Sequence, residues 1–285
     1  MTRPSARFAM LPLLASALLA GCGRDVSPEA WALLEGGKDA FRTGDNPAAV
    51  GKLDAFLKDN AGSKLAGEAY FFRGRARLAM GDRGGAGADL AQAAALLQDK
   101  LMAAQSLVYL GEIVEEGGDL AGAERLYRQG LDKLELGQKP ADDALYRLGG
   151  VIQKQGRWAD ADLPLDRLIY LFHDSPLARQ AERKVRCAAW TIRTAVFFDR
   201  PAAAAAAEEL ARAGLVATIR EVLEEERVSA ASAASQTSTT SAPSQSGKRL
   251  AFWVQVGRYA NYAQAAAALP AVRAKAKDAA IVETR

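Results

Sequence analysis

Three small-residue positions recur together through the first half of the chain, and they constrain its fold more than any other feature. Gly37, Gly74, Gly111 and Gly149 are spaced by 37, 37 and 38 residues; Gly44, Gly81, Gly118 and Gly156 repeat that spacing, as do Ala49, Ala86, Ala123 and Ala161. Self-similarity at a fixed period of this length is the mark of stacked supersecondary units. The first glycine of each unit lies inside a helical pattern, as in EAYFFRGRARLAMGD and QSLVYLGEIVEEGGD. There it costs about 1 kcal/mol relative to alanine. Its recurrence implies a compensating contact, most simply a neighbouring helix too close for any side chain. The second glycine precedes an acid in Gly44-Asp45, Gly81-Asp82 and Gly118-Asp119. That pair suits a left-handed helix stop followed by a capping carboxylate. Asn46-Pro47 adds an N-cap and a proline at the first helical position. Each unit therefore reads as helix, tight turn, helix.

On Leu110-Gly111, Leu148-Gly149, the turn glycines, Ala123, Ala161 and the following large Tyr127, the chain resembles the tetratricopeptide repeat family. The resemblance spans roughly Pro28 to Pro176, about four units. The period is longer than the family's about 34 residues, and Arg73 stands where the pattern wants leucine. The implied fold is all-α: a solenoid of helical hairpins over 22–227, its last helices a degenerate fifth pair and a polar cap, with Glu224 to Glu226 a solvated face. In the family, the first helix of each hairpin lines a concave surface that grips peptides or partner proteins. Carried over by position, that surface is Phe71 and Arg75, then Gln105, Val108 and Glu112, then Asp143 and Tyr146. Phe71, Val108 and Tyr146 fit inter-repeat core equally well.

The start of the chain speaks to compartment. Arg3 and Arg7 precede an uncharged apolar run from Phe8 to Ala20, closed by Leu19-Ala20-Gly21-Cys22. This is the layout of a secretory signal, and the run is shorter than the about 20 residues of a membrane span. It resembles the lipobox of bacterial lipoproteins. The resemblance implies cleavage after residue 21, lipidation of Cys22, and, with Gly23 rather than aspartate following, residence at the outer membrane facing the periplasm. Two acyl chains on one residue anchor stably. The only other cysteine is Cys187, so no disulfide framework is available; a small buried hydrophobe is its plain reading.

Residues 228–247, VSAASAASQTSTTSAPSQSG, hold no charge and no aromatic ring. Such a composition cannot bury a core, and a disordered tether is expected. Beyond it, FWVQVGRYANYAQAAAAL alternates as a strand and passes into a helix pattern, and AAIVET follows as a second short strand. On Val254-Gln255-Val256-Gly257 with Tyr259, and Ala265 and Leu269 behind, residues 248–285 resemble the start of the SPOR domain, a small βαβ-βαβ fold that binds glycan strands of peptidoglycan. The resemblance points to Trp253, Gln255, Gly257 and Tyr259 as glycan ligands. A ring covers apolar sugar faces, and an amide both donates and accepts. Only half of that domain is visible here, so an independent glycan-binding module is expected to need another copy, the solenoid or further chain to complete it.

Catalytic constellations are scarce. His173 is the single histidine, GDRGGAG lacks the lysine of a phosphate loop, and acid pairs such as Asp142-Asp143 and Asp160/Asp162 are ordinary on helix surfaces. No metal, cofactor or enzyme is called for. The last segment carries seven basic residues against two acidic ones, while Cys22 to Arg227 sums to about −4. A nucleic-acid binder would show a basic footprint over its whole domain. The expected protein is a lipid-anchored periplasmic adaptor that holds partner proteins in a groove and glycan strands in its tail. The alternatives are a scaffold for outer-membrane assembly or secretion, and an envelope enzyme or activator of a peptidoglycan hydrolase.

Overall fold

A computed structural model describes residues 26–135, 137–225 and 248–284. The signal-like segment, Cys22 and the Ser/Ala/Thr stretch 228–247 lie outside these residues. Four helical hairpins lead: α1 (Pro28–Arg42) with α2 (Asn46–Asn60), α3 (Ala66–Ala79) with α4 (Arg83–Leu96), α5 (Lys100–Glu116) with α6 (Leu120–Lys133), and α7 (Ala141–Lys154) with α8 (Trp158–Leu171). The short α9 (Pro176–Lys184) packs on α7 and α8 as the first half of a fifth unit. The recurring glycines do what their spacing implied. A Cβ on Gly37, Gly111 or Gly149 would lie 2.6 Å from Leu53, Tyr127 or Leu165 of the paired helix. The turn glycines Gly44, Gly81, Gly118 and Gly156 all have φ between 83° and 88°, where an L side chain is strained. Asp45, Asp82 and Asp119 then cap α2, α4 and α6, each accepting from the backbone N–H three residues on. Ala49, Ala86, Ala123 and Ala161 are fully buried between units.

Arg73, the departure from the repeat pattern, has a structural reason. Its guanidinium donates to both oxygens of Asp89 on α4, at 2.9 and 2.5 Å, and to Asp54 on α2 at 2.6 Å. Arg77 donates to Asp89 at 2.8 Å from one turn further on. Asp89 is only 3% exposed, so the two arginines satisfy a carboxylate that would otherwise be costly to bury. A polar clamp thus replaces a leucine contact where the first two hairpins meet.

The helical reading fails after α9. Residues expected as degenerate helices form strand β1 (Ala189–Phe197), helix α10 (Arg200–Arg212) and strand β2 (Ala217–Glu225). Glu224 and Glu225 are therefore strand residues, not part of a capping helix. After the undescribed stretch come β3 (Lys248–Tyr259), α11 (Tyr262–Arg273) and β4 (Ala280–Thr284). The four strands form one antiparallel sheet in the order β2-β3-β1-β4, the split βαβ arrangement of ferredoxin-like units. Helices α10 and α11 cover one face, with Ile192, Ala203, Leu210, Phe252, Val254, Val256, Val272 and Ala279 between. The chain is thus a helical solenoid followed by an α+β unit, and the solenoid ends near residue 184 rather than 227.

Two further expectations change with this. The stretch 228–247 does not join the solenoid to a separate tail. In the chain it lies between β2 and β3, whose pairing runs from Ala217↔Val256 out to Glu225↔Lys248, so the two strand ends that it links are side by side. Nor does the last segment stand apart on a leash, because the sheet is docked on the solenoid. Trp158 Nε1 donates to the Ala260 carbonyl and Trp190 Nε1 to the Gln153 carbonyl, both at 3.1 Å. The Trp190 ring packs between Trp158 and Tyr262, with centroids 5.4 and 5.3 Å away. Lys184 of α9 pairs with Glu283 of β4. At the junction, Arg186 takes φ 59° while its N–H donates to Asp162 of α8 at 2.8 Å. Cys187 is buried beside it, its thiol donating to the Arg183 carbonyl at 3.5 Å.

Candidate functional site

The first helices of successive hairpins adjoin along one side of the solenoid, and side chains tie them crosswise. Lys38 of α1 reaches Glu68 of α3 at 2.9 Å as well as its own Glu35. Phe41 of α1 meets Phe72 of α3 edge-on, centroids 5.7 Å apart. Arg75 of α3 lies over Tyr109 of α5, 3.9 Å from its centroid. Arg147 of α7 pairs with Asp143 at 2.9 Å and with Glu112 of α5 at 3.3 Å, and Lys184 of α9 lies 5.4 Å over Tyr146 of α7. Burial opposes the charge on Arg147, but Asp143 and Glu112 more than offset it and hold the guanidinium above its ordinary pKa.

Of the seven residues expected on this inner face, Arg75, Gln105, Glu112, Asp143 and Tyr146 are partly exposed, although Tyr146 also packs on the core beneath. Phe71 and Val108 are not available to a partner. Phe71 is buried against Leu90 and Ala93, and Val108 against Tyr127 and Ala144. The aromatic positions that do border the face are one residue further on, Phe72 and Tyr109. Residues four apart share a helix face, so Phe71 lies beneath Arg75, whose guanidinium is 5.8 Å from its ring, and Val108 stands one turn before Glu112; both form buried floor, which is the inter-repeat core that the sequence equally allowed. The signal was the doublet itself: Phe71-Phe72 and Val108-Tyr109 each supply one apolar residue for the core and one ring beside it.

The second surface is the sheet face that α10 and α11 leave bare. Phe252, Val254 and Val256 point into the covered core, and Trp253 and Gln255 alternate to the other side, as the sequence implied. Trp253 is half-buried, with the Arg193 guanidinium of β1 4.6 Å from its ring; its neighbours across the strands are Val196 and Arg220. Gln255 lies opposite Arg193 and Thr218. It is only 5% exposed, and its Nε2 has no hydrogen-bond partner among the described residues. The expectation that Gln255 presents its amide to a ligand from an open surface is therefore corrected: long side chains flank it closely enough to exclude solvent. Arg220 extends from β2 to donate to Thr284 Oγ1 of β4 at 2.8 Å. Gly257 has φ 72°, and a Cβ there would meet the Tyr259 ring. Tyr259 folds back on the strand instead of reaching outward, and burial pushes its hydroxyl pKa up. Arg193, Val196, Thr218 and Arg220 were missed because their strands were read as helices.

His173 is exposed beside Asp174 at the end of α8. Among the described residues, no group of three or more His, Cys, Asp or Glu is placed to hold a metal, and no helix is long and apolar enough to cross a membrane.

The architecture defines a helical-hairpin scaffold with a small open-faced sheet unit seated on its last hairpin. No family model matches the chain, and no curated protein matches it. Among solved structures, MamA is similar at 20% identity over 51% of this chain and 79% of its own, with a TM-score of 0.44. A tetratricopeptide repeat protein from Parabacteroides merdae is similar at 18% identity over 55% and 58%, TM-score 0.47. YrrB, described as a TPR protein with an unusual peptide-binding site, is similar at 19% identity over 54% and 74%, TM-score 0.45. These are distant likenesses, each covering about half of this chain, and they carry no activity across to it.

Proposed function

We propose that the protein is a lipid-anchored adaptor of the bacterial cell envelope. The inner face of its solenoid holds a segment of a partner protein, and the bare sheet face holds glycan strands of peptidoglycan. The observation that carries the glycan reading is that β1-α10-β2 and β3-α11-β4 make one four-stranded sheet with both helices on one side and Trp253 on the other. The tail resembles the first half of a SPOR domain but stands second in this unit, after β1-α10-β2 of the same chain, so Val254-Gln255-Val256-Gly257 lies on the third strand and not the first. Trp253 supplies a ring for apolar sugar faces; Arg193, Thr218 and Arg220 supply donors beside it. The lipid anchor rests on the Leu19-Ala20-Gly21-Cys22 motif alone. It is tested by fatty-acid labelling of the intact chain and its Cys22→Ser variant.

The glycan reading is tested by co-sedimentation with purified sacculi before and after amidase treatment strips their peptide stems. The full chain is expected to sediment with the stripped sacculi, and Trp253→Ala to abolish this without lowering the melting temperature by more than a few degrees. Retention of Trp253→Ala at the level of the parent would remove the glycan reading and leave the scaffold alone. The stacking of Arg193 on Trp253 favours that second reading, since a ligand must displace the guanidinium or share the ring with it.

A further inference from the structure

On the inner face, Lys38 is matched by Glu35 and Glu68, and Arg147 by Asp143 and Glu112. The contacts of Arg75 among the described residues are with rings. Its guanidinium carbon lies 3.9 Å from the centroid of Tyr109, 5.5 Å from Phe41 and 5.8 Å from Phe71. Among the described residues, no hydrogen bond or ion pair reaches it. Aromatic contacts engage the flat faces of a guanidinium and leave the N–H donors at its edge unused. They also fix the group, so little side-chain entropy remains to be lost when a ligand binds. A half-buried cation with no acid of its own among the described residues, lying over Tyr109 with the rings of Phe41 and Phe71 nearby, is complementary to a carboxylate.

We propose that Arg75 is the specificity-determining contact of the solenoid, and that it receives the side-chain carboxylate of an aspartate or glutamate in the bound segment. This rests on the reading that the inner face binds protein. An internal side chain is favoured over a chain end because Arg75 lies mid-groove. The Lys38–Glu35–Glu68 cluster lies on one side of it and the Arg147–Asp143–Glu112 cluster on the other. Each cluster has one cation against two acids, so a segment running through would meet negative, positive and negative fields in turn. Phe41, Phe72 and Tyr109 make the immediate surroundings apolar, which favours aliphatic or aromatic neighbours for the acid.

The test uses the full chain and pools of N-acetylated, C-amidated dodecapeptides, randomised except for a centre fixed as Glu, Gln or Lys. A fourth pool carries a central Gln and a free C-terminus. The Glu pool is expected to be retained on the order of tenfold or more above the Gln and Lys pools, the range of a charge-assisted hydrogen bond. Arg75→Gln should erase that preference, and Arg75→Lys should restore part of it. Added salt should weaken the preference in the parent chain, a reading that stands even if Arg75→Gln fails to fold. Equal retention of the Glu and Gln pools overturns the role of Arg75 while leaving a protein-binding groove in place. Retention of the free-C-terminus pool alone overturns the choice of an internal acid. Retention of no pool removes both the proposal and the protein-binding reading on which it rests.

Discussion

Gly156 serves two structures at once, and one methyl group should separate them. It is the turn glycine of the fourth hairpin, at φ 84°. It also faces the sheet unit: an added Cβ would lie 2.9 Å from the Ala260 carbonyl oxygen and 3.4 Å from Cβ of Asn261. Its counterpart Gly118, at φ 88°, has nothing within 4 Å. Gly118→Ala should therefore report the left-handed strain alone, about 1 to 2 kcal/mol. Gly156→Ala carries the same strain and a contact against backbone, which cannot swing aside as a side-chain end does. Overpacking of this kind adds about 1 to 3 kcal/mol. The chain can relieve it by lifting the Ala260 turn, at the cost of the Trp158 indole bond to that carbonyl. Because the solenoid and sheet need not melt as one unit, the decisive readout is local. Hydrogen exchange at the Trp158 and Trp190 indoles should accelerate in Gly156→Ala and stay at the parent rate in Gly118→Ala. Equal exchange rates and equal stability losses in the two variants would refute the docking described above.

Glycine contacts also predict opposite signs within the hairpins. Gly111→Ala drives a Cβ to 2.6 Å from the Tyr127 ring and should destabilise by about 1 to 3 kcal/mol, whereas Gly51→Ala in α2 meets nothing and should gain about 0.5 to 1 kcal/mol in denaturant titrations. Replacing 226–247 by a four-residue Asn-Gly turn should leave the sheet intact, since Glu225 and Lys248 are already paired; loss of the Trp190 indole's exchange protection would contradict this. Burial pushes the Glu124 carboxyl up, but Arg128, Gln155 and Arg157 overcome it and hold its pKa below the usual 4.5. A lowered carboxylate pKa stabilises the fold above the unfolded value and loses that contribution as pH falls through the folded one. Glu124→Gln should thus lower stability at pH 7 and flatten its decline below about pH 4.5; parallel curves for parent and variant would rule this out.

The solenoid was legible because its signal is steric and repeated. Gly37, Gly111 and Gly149 mark helix contacts, and Gly44, Gly81, Gly118 and Gly156 mark left-handed turns, at a fixed offset that chance does not supply. The inner face was legible only in part, because position within a repeat gives a helix face but not depth, and Phe71 and Val108 on that face are buried as its floor. The first half of the sheet was missed for a different reason. Its alanine-rich helix α10 and the helical pattern before it drew β1 and β2 into an all-α reading. Yet AWTIRTAVF is rich in the β-branched and aromatic residues of strands. A second internal repeat was also present: Asp199 and Asn261 cap α10 and α11, Ala203 and Ala265 are buried one turn in, and Leu210 and Val272 close the core, each pair 62 residues apart. The four-copy solenoid repeat, at its shorter period of 37 to 38 residues, obscured this two-copy signal, which becomes plain once the tail strand is laid over 189–197.

That second repeat changes how the chain can be cut. Sequence composition invites truncation at residue 227, before the charge-free stretch, as if a tail were being removed from a finished scaffold. In the fold, β3 is a central strand, hydrogen-bonded to β2 along one edge and β1 along the other. Removing 228–285 leaves β1 and β2 with no strand between them and strips Phe252, Val254, Val256 and Val272 from the core that Ile192, Ala203 and Leu210 share. Each such side chain contributes about 1.5 to 3 kcal/mol when buried, so residues 189–227 should not stay folded, and their exposed apolar faces should promote association. The truncation also removes Tyr262 and Ala260 from Trp190 and Trp158. A cut at Arg186, where α9 has ended and β1 has not begun, keeps every hairpin of the solenoid and discards the whole sheet. The chain ending at residue 186 is expected to be monomeric and helical by circular dichroism, and the chain ending at 227 to aggregate or lose protease resistance beyond residue 186. Should the 227 truncation instead remain a monomer with residues 189–225 protected from protease, β3 would not be the strand that holds this unit together.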